Sequence, residues 1–341
     1  MYVGKLCKLD WKGSRFDKKV SYRQKNGMEN KKPLIVLTGA TAVGKTKLSI
    51  ALAKSVGGEI ISADSMQVYR GMDIGTAKIG AAERQGVPHH LIDVLEPEED
   101  FNVTLFQQLA EQAIDEIYSR GRIPIIVGGT GFYIQAVTNA VDFTETKTDF
   151  QFREELQHFA AFYGAAALHQ KLCEADPVAA SQIHENNIKR TIRALEYYHQ
   201  TGKKISEHNQ EQKSHTSPYE LSYFVLTAPR NILYEKINVR VDQMIKDGLL
   251  SEVERLRERG LSKTSVSMQG LGYKELLEYL EGRQTLPETI DQIKKDTRHF
   301  AKRQLTWFKR EEHAVWFDKS KFDYNDDRLL KELLNRLSGQ S

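Results

Sequence analysis

An eight-residue stretch with two glycines, residues 39–46, constrains this chain more strongly than any other feature of its sequence. It reads G-A-T-A-V-G-K-T and lies between an apolar run at residues 34–38 and a predicted helix at about residues 46–55. The glycines let successive backbone N–H groups turn toward one point, and the start of the helix adds partial positive charge there. A strand, such a loop and a helix in this order predict a binding site for a polyphosphate.

Each residue of this phosphate loop has an expected task. The backbone contributes N–H groups, Lys45 neutralises phosphate charge, and the Thr46 hydroxyl can coordinate Mg²⁺. We therefore expect Mg²⁺ as a cofactor, with Thr46 as its protein ligand. The residues expected at the phosphates are Gly39, Ala40, Thr41, Ala42, Val43, Gly44, Lys45 and Thr46.

The phosphate loop does not indicate which bond of the polyphosphate breaks. An NTPase of this kind usually carries an apolar strand that ends in Asp, which holds Mg²⁺. One candidate strand, residues 123–127, is followed by glycines, and the other places Asp93 inside a strand-like run. A kinase or ATPase is therefore an open but less favoured interpretation.

Short apolar runs alternate with helical segments through much of the chain. This alternation predicts an α/β fold with a P-loop-type doubly wound parallel sheet, and such sheets bind ligands at the carboxyl ends of their strands. A helical pattern in the middle of the chain predicts an all-helical insertion domain. Further strands are predicted at residues 59–62, 90–94, 123–127, 221–226 and 314–317, and long helices at residues 104–119, 232–259 and 287–310.

These patterns divide the chain into four parts. Residues 1–27 are rich in lysine without a steady period and are interpreted as an irregular basic leader, with Met28 as the expected natural start. A basic arm that contacts RNA is the alternative interpretation of this segment. We assign residues 28–141 to the first part of the catalytic core and residues 142–215 to the helical insertion. Residues 216–341 form the second part of the core with its C-terminal helices. The polar stretch 207–217 is expected to be the exit loop of the insertion.

The net charge is small but unevenly distributed. The 341 residues sum to +3, whereas residues 1–32 hold ten Lys/Arg against three Asp/Glu, and residues 294–310 hold seven against one. Two cysteines, Cys7 and Cys173, cannot supply a disulfide framework or a four-thiolate zinc site. The apolar runs are far shorter than the roughly 18 residues of a transmembrane helix, so a cytoplasmic protein with no membrane partner is expected.

A carboxylate follows the second predicted strand, beside the expected position of the phosphate loop. Asp64 begins the run D-S-M-Q-V-Y, which puts Asp64 and Gln67 at the ligand-binding edge of the sheet. Asp64 could accept a proton from a nucleophile while the loop holds a diphosphate leaving group. It could equally cap a following helix, because Asp and Ser are favoured there. The spacing alone leaves both interpretations open.

Several sequence blocks together resemble the tRNA dimethylallyltransferase family, also called tRNA isopentenyltransferases or IPP transferases. The blocks are the phosphate loop, D-S-M-Q-V-Y-R-G-M-D-I-G-T-A-K from Asp64, G-G-T-G-F-Y from Gly128, R-A-L-E from Arg193, G-L-G-Y-K-E from Gly270 and K-R-Q-L-T-W from Lys302. They occur in the family's order between about residues 33 and 317. The chain departs from the family pattern at Ala40, where proline is usual, and at Asn187, where aspartate is usual.

The resemblance implies a prenyl transfer to RNA. A dimethylallyl group would pass from dimethylallyl diphosphate to the exocyclic N6 of the adenosine immediately 3′ of the tRNA anticodon, and diphosphate would be released. Lys45, Thr46 and Mg²⁺ would offset the charge on the leaving group, and Asp64 would take a proton from N6. The target base must leave the anticodon-loop stack. Its expected contacts are Asp64, Ser65, Met66, Gln67 and Thr130.

Two basic surfaces are expected to hold the tRNA anticodon stem-loop. On the predicted helix that starts at residue 188, Arg190, Arg193 and Tyr197 share one face at helical spacing. The residues of the insertion expected at the tRNA are Arg153, Lys189, Arg190, Thr191, Ile192 and Arg193. A second basic stripe, expected at the RNA backbone, consists of Lys294, Arg298, Lys302 and Lys309.

Three alternatives stand beside a tRNA-modifying enzyme that acts as a monomer. One is an adenylate isopentenyltransferase, which prenylates a free nucleotide, and another is a P-loop kinase or ATPase. The third is an RNA-binding protein that retains the phosphate loop without catalysis. The two basic surfaces favour tRNA as the acceptor, because a free nucleotide needs no such surface.

Overall fold

The computed structural model describes residues 31–141, 143, 149–213 and 216–339, so the expected basic leader and Met28 lie outside the described residues. The strands are β1 (Lys32–Gly39), β2 (Gly58–Ala63), β3 (His89–His90), β4 (Ile123–Gly128), β5 (Tyr219–Thr227) and β6 (Val315–Asp318). The helices are α1 (Lys45–Val56), α2 (Val103–Ser119), α3 (Gly131–Thr138), α4 (Phe150–Tyr163), α5 (Ala165–Ala175), α6 (Pro177–Gln182), α7 (Ile188–Thr201), α8 (Ile205–Lys213), α9 (Arg230–Lys246), α10 (Leu249–Glu258), α11 (Tyr273–Leu280), α12 (Leu286–Phe308) and α13 (Asp326–Leu337). None of the helices in these ranges has the length and apolar character needed to cross a membrane.

The strands form one parallel sheet in the order β3-β2-β4-β1-β5-β6. Apolar side chains project from both faces of the sheet, because successive residues of a strand point to opposite sides. Val36 and Ile126 pack into the core on one side, and Leu37 and Ile125 pack into the core on the other. A sheet covered on both faces confirms the predicted α/β class with a doubly wound parallel sheet.

Glycines permit close contact between neighbouring strands at the carboxyl edge of the sheet. A Cβ atom at Gly128, the end of β4, would lie 2.1 Å from the carbonyl oxygen of Ala63, the end of β2. A Cβ atom at Gly39, the end of β1, would lie 2.2 Å from the carbonyl oxygen of Leu226 in β5. Side chains larger than hydrogen cannot be accommodated at these distances. The segments that follow β1, β2 and β4 therefore start from one small region of the sheet edge.

Helices α4 to α8 form the predicted helical insertion around a core of their own. That core contains Leu156, Leu168, Leu172, Ile192 and Leu195. The buried carboxylate of Asp176 caps α6 at the N–H of Ala179 (3.0 Å) and also accepts the N–H of Ser206 in α8 (2.9 Å). The expected exit loop at residues 207–217 is therefore wrong in its first part, because Asp176 ties this polar segment to the insertion as helix α8.

Two other predicted elements end earlier than expected. β3 stops at His90 and does not continue to residue 94, because Leu91 and Asp93 adopt left-handed backbone angles with φ of 61° and 58°. The helix predicted at residues 232–259 is divided into α9 and α10. Gly248 between them adopts a φ of 100°, which no continuous helix can contain.

A buried carboxylate on α10 holds the loop at residues 73–75. Glu252 is 2% exposed. Its oxygens accept hydrogen bonds from the backbone N–H groups of Asp73 (2.9 Å), Ile74 (2.9 Å) and Gly75 (3.1 Å). The hydroxyl of Tyr273 donates a fourth hydrogen bond at 2.6 Å. Four donors offset the cost of removing this charge from water, so the loop is fixed to the C-terminal half of the chain.

We expect the loss of this carboxylate to destabilise the fold. Glu252→Ala leaves three backbone N–H groups and the Tyr273 hydroxyl without their acceptor, which should lower the free energy of unfolding by about 3 kcal/mol. Urea denaturation followed by circular dichroism measures the change. Glu254→Ala, at an exposed position of the same helix, is the control and should change stability by less than about 0.5 kcal/mol. Equal stability of the two variants would contradict the assigned role of Glu252.

Candidate active site

The phosphate loop joins the end of β1 to the start of α1, as its sequence predicts. Ala42 and Gly44 adopt left-handed backbone angles with φ of 62° and 92°. The Nζ atom of Lys45 donates to the carbonyl oxygens of Gly39 and Ala40, both at 2.9 Å. The lysine ammonium is therefore held against the loop at the N-terminus of α1, where partial positive charge favours an anion.

Three charged side chains from separate elements interact at this loop: Lys45 of α1, Asp64 after β2 and Arg240 of α9. Desolvation and the neighbouring Arg240 lower the pKa of Lys45 to about 8, while the Asp64 carboxylate acts in the opposite direction. Desolvation also lowers the pKa of Arg240, and Asp64 again opposes the shift. Two desolvated cations beside one carboxylate leave an excess of positive charge, which suits a bound diphosphate.

Asp64 uses one carboxylate oxygen to close a turn. Its Oδ1 atom accepts the backbone N–H groups of Met66 (2.9 Å) and Gln67 (3.4 Å). No helix follows, so the prediction that Asp64 caps a helix is wrong, and the carboxylate closes a turn instead. Within the described part of the chain, no hydrogen-bond donor contacts Oδ2. Oδ1 therefore fixes the carboxylate, and Oδ2 is left to accept a proton.

The residues expected at the target base lie around Asp64. The side-chain amide of Gln67 accepts a hydrogen bond from the Ser62 hydroxyl (3.1 Å) and donates one to the carbonyl oxygen of Thr76 (3.2 Å). The N–H of Thr130 donates to the carbonyl oxygen of Ala63 at 3.2 Å, so Thr130 lies next to Asp64. Ser65 and Met66 are half-buried in the same turn. The structure therefore brings these side chains together at the strand ends, as expected.

Sequence reasoning missed Gln304, which connects two segments of the site. This buried α12 residue accepts the N–H of Thr41 in the phosphate loop through Oε1 (2.9 Å). Its Nε2 donates to the carbonyl oxygen of Gly129 after β4, also at 2.9 Å. The sequence signal for this role is an uncharged amide directly after two basic residues in the block K-R-Q-L-T-W. The neighbouring charges indicate an RNA contact and therefore mask it.

Arg240 was also missed, and no local pattern marks it, because it lies in the middle of α9 without a surrounding motif. It lines a cavity of about 820 Å³ between residues 73–78 and α9. The apolar lining residues are Ile74, Ala77, Ile232, Val239 and Met244. The cavity therefore offers apolar surface next to a cation of the phosphate site.

The predicted Mg²⁺ ligand, Thr46, is exposed in the first turn of α1. Among the residues that the structure describes, no group of three or more His, Cys, Asp or Glu side chains could hold a metal ion. Mg²⁺ often binds through one or two protein ligands, while phosphate oxygens and water complete its coordination. The Thr46 hydroxyl fits that kind of binding, in which the ion is held together with a diphosphate.

Arg190 of α7 and the C-terminal part of α12 line a basic groove of about 520 Å³, here named the α7–α12 groove. Its lining residues are Arg190, His299, Lys302, Arg303, Thr306, Trp307 and Arg310. The expected α12 stripe is only partly exposed to it. The Nζ of Lys294 lies 2.6 Å from Asp242, and Arg298 donates to Asn238 at 2.6 Å, both on α9. Side chains four residues apart on a helix differ by about 40° in direction around the helix axis. The stripe therefore faces α9 at its start and the groove nearer its end.

The residues of the insertion that are expected to contact tRNA differ in their solvent exposure. Lys189, Arg190 and Arg193 are exposed on α7, whereas the side chains of Thr191 and Ile192 are buried and present no surface to RNA. The prediction that Tyr197 shares the arginine face is wrong, because Tyr197 is buried and Tyr198 is exposed.

Two further insertion residues have structural partners. Arg153 donates to the buried carboxylate of Glu196 at 2.7 Å. The side chain of Asn187 caps α7 at the N–H of Arg190 (3.3 Å). Capping is a role that asparagine and aspartate share, so the departure from the family pattern at position 187 preserves the helix start.

Two family models match the chain. The model described as IPP transferase matches residues 67–311, and the model described as isopentenyl transferase matches residues 32–94. The first match extends across the helical insertion and the α7–α12 groove, and the second contains the phosphate loop.

Curated relatives and solved structures match nearly the whole chain. The tRNA dimethylallyltransferase of Lachnoclostridium phytofermentans is 59% identical over 307 residues, which cover 90% of this chain and 97% of the relative. The tRNA isopentenylpyrophosphate transferase structure from Bacillus halodurans has a TM-score of 0.69 at 48% identity, with 91% of this chain and 96% of that chain covered. A eukaryotic dimethylallyltransferase solved while acting on tRNA has a TM-score of 0.76 at 32% identity, with 90% and 80% covered. The matches span the core and the insertion alike, and the chain therefore belongs to the tRNA dimethylallyltransferase family of prenyltransferases.

Proposed function

We propose that this protein transfers the dimethylallyl group of dimethylallyl diphosphate to N6 of the adenosine immediately 3′ of a tRNA anticodon and releases diphosphate. The observation that carries the proposal is the interaction of Asp64 with Lys45 and Arg240 at the phosphate loop. Attack of a weakly nucleophilic amine on an allylic diphosphate requires a proton acceptor close to cations that hold the leaving group. These three side chains supply that combination.

Asp64 acts as the general base in this mechanism. The N6 nitrogen attacks the allylic carbon that carries the diphosphate, the carbon–oxygen bond breaks, and its electron pair remains on the diphosphate oxygen. The proton of N6 passes to Oδ2 of Asp64. Because Oδ1 is tied to two backbone N–H groups, the carboxylate keeps its orientation during the transfer.

The cations stabilise the charge that develops on the leaving diphosphate. Lys45 is held at the phosphate loop by two carbonyl oxygens before the substrate arrives, so little reorganisation of this cation and of the loop N–H groups is needed during the reaction. When Mg²⁺ is bound with the diphosphate at Thr46, it supplies further charge neutralisation. The apolar wall of the cavity beside Arg240, formed in part by Ile74, Val239 and Met244, suits the dimethylallyl chain.

The α7–α12 groove is the proposed binding surface for the anticodon stem-loop. Arg190 comes from the insertion, Lys302 and Arg303 come from α12 and Arg310 follows α12, so a phosphate backbone in this groove contacts both parts of the molecule. That the enzyme acts as a monomer stays a prediction. A tRNA substrate supports a cytoplasmic location.

Two alternative functions, a kinase or ATPase and an enzyme that prenylates free nucleotide, receive less support. Asp93, the candidate Mg²⁺ ligand of a kinase or ATPase, is ion-paired with Lys78 at 2.6 Å and lies 3.9 Å from Arg84. A carboxylate held in this way is not available to a metal in the phosphate site. An enzyme that prenylates free nucleotide has no use for a basic groove shared between an inserted helix and the C-terminal part of the core.

One assay separates these functions. Dimethylallyl diphosphate labelled in the allyl group is incubated with the enzyme and Mg²⁺ in the presence of an unmodified anticodon stem-loop, AMP or ATP. We expect label on the stem-loop and release of diphosphate. Label on AMP but not on RNA would favour the nucleotide-prenylating enzyme, and phosphate release from ATP alone would favour an ATPase.

Asp64→Asn should reduce kcat for prenyl transfer by about a thousandfold, because asparagine cannot accept the N6 proton. Its carbonyl oxygen can still accept the N–H groups of Met66 and Gln67, so the turn is preserved and stem-loop affinity should stay within about twofold. Single-turnover transfer and fluorescence anisotropy measure the two quantities. A kcat close to that of the wild-type enzyme would eliminate Asp64 as the base.

Affinity for dimethylallyl diphosphate should fall as pH rises through about 8, where Lys45 loses its proton in the free enzyme. The loss should approach tenfold for each pH unit above this value. Calorimetric titration without RNA between about pH 7 and about pH 9.5 measures it. Arg240→Gln removes the cation that helps to lower the pKa of Lys45, so the inflection should move to higher pH. An inflection unaffected by this substitution would contradict the coupling of the two cations.

Arg190→Ala should weaken stem-loop binding and reduce the slope of log Kd against log salt concentration by about one, because one phosphate contact is lost. Fluorescence anisotropy over a series of KCl concentrations gives both values. Arg255→Ala, at an exposed position of α10 outside the groove, is the charge-matched control and should leave the slope unchanged. Identical slopes for the two variants would exclude Arg190 from the RNA interface.

A further inference from the structure

An exposed aromatic ring lies between the base-contact residues and the α7–α12 groove. Phe132, the second residue of α3, is 43% exposed. Its ring centroid lies 6.0 Å from that of Trp307 and 5.9 Å from that of Phe143, and both contacts are edge to face. These contacts support the ring from the side.

The position of Phe132 connects the two parts of the proposed RNA site. Two residues earlier, Thr130 is bonded to the backbone of Ala63 beside Asp64. On the other side, Trp307 contributes to the lining of the α7–α12 groove. Gly131 permits Trp307 to pack directly against the start of α3, since a Cβ atom at position 131 would lie 2.1 Å from Trp307 Cδ1. Phe132 is thus held where an RNA chain would pass from the groove to the reaction site.

The charges around the ring identify the kind of partner. The guanidinium of Arg310 lies 5.6 Å from the centre of the Trp307 ring, and the groove carries Arg190, Lys302 and Arg303 as well. A partly exposed aromatic ring next to several cations is the combination that binds single-stranded RNA. The bases stack on the ring, and the phosphates pair with the cations. An apolar protein partner would not require these charges.

We propose that Phe132 is a stacking platform for one of the two bases that flank the target adenosine. This inference rests on the proposed function, in which the adenosine leaves the anticodon-loop stack. Its departure exposes faces of the neighbouring bases and costs unstacking energy. Contact of one of these bases with the Phe132 ring offsets part of that cost and fixes the loop at the entrance to the site.

The protein side of the test uses three substitutions. Phe132→Ala should weaken binding of the anticodon stem-loop by about tenfold, as expected for the loss of one base–aromatic stack. Phe132→Tyr keeps the ring face and should restore affinity to within about twofold. Trp316→Ala removes a comparably exposed aromatic residue (36%) from edge strand β6 and should leave affinity unchanged. Wild-type affinity in Phe132→Ala, or failure of tyrosine to restore binding, would overturn the proposal.

The RNA side uses two stem-loops, each with an abasic nucleotide on one side of the target adenosine. With the stacked base absent, wild type and Phe132→Ala should bind one of these stem-loops with equal affinity. The same loss for Phe132→Ala on the intact loop and on both abasic loops would overturn the proposal. If the wild-type enzyme instead transfers no label to the intact stem-loop, the proposed function fails, and the binding comparison still reports on Phe132.

Discussion

The close contact among the carboxyl ends of β1, β2 and β4 is the constraint on which the candidate site depends. Glycine at the end of β4 removes a side chain that would separate β4 from β2, and glycine at the end of β1 removes one that would separate β1 from β5. Gln304 then joins the segment after β1 to the segment after β4 through two hydrogen bonds of 2.9 Å. The phosphate loop, Asp64 and Thr130 therefore occupy one small region without long connecting loops. A residue from the distant helix α12 stabilises their arrangement.

Electrostatic balance explains why a carboxylate belongs in this region. Desolvation lowers the pKa of both Lys45 and Arg240, and the charge of Arg240 lowers the pKa of Lys45 further. Asp64 opposes both shifts in the protein without substrate, and a bound diphosphate would act in the same direction. In the proposed mechanism, the same carboxylate accepts the N6 proton when the diphosphate leaves.

The proposed RNA-binding surface is also formed by two separate parts of the chain. Neither α7 nor α12 forms the basic groove alone, since Arg190 belongs to α7, Lys302 and Arg303 belong to α12, and Arg310 follows α12. The insertion can keep its own apolar core while one edge of α7 contributes to a surface of the catalytic core. Binding of RNA to both parts would therefore depend on the position of the insertion as well as on the charge of each helix.

The sequence by itself determined the features that depend on local spacing. Residues 39–46 predicted the phosphate loop, the alternation of strands and helices predicted the parallel sheet, and the end of β2 predicted where Asp64 lies. Tertiary structure decided the partners of these residues. Arg240 is far from Asp64 in the chain, Lys294 and Arg298 pair with α9, and Tyr197 is buried beside His208 of α8. Local periodicity specifies which face of a helix is apolar, whereas the polar groups that meet a charged side chain are supplied by other elements, and their positions depend on how the whole chain packs.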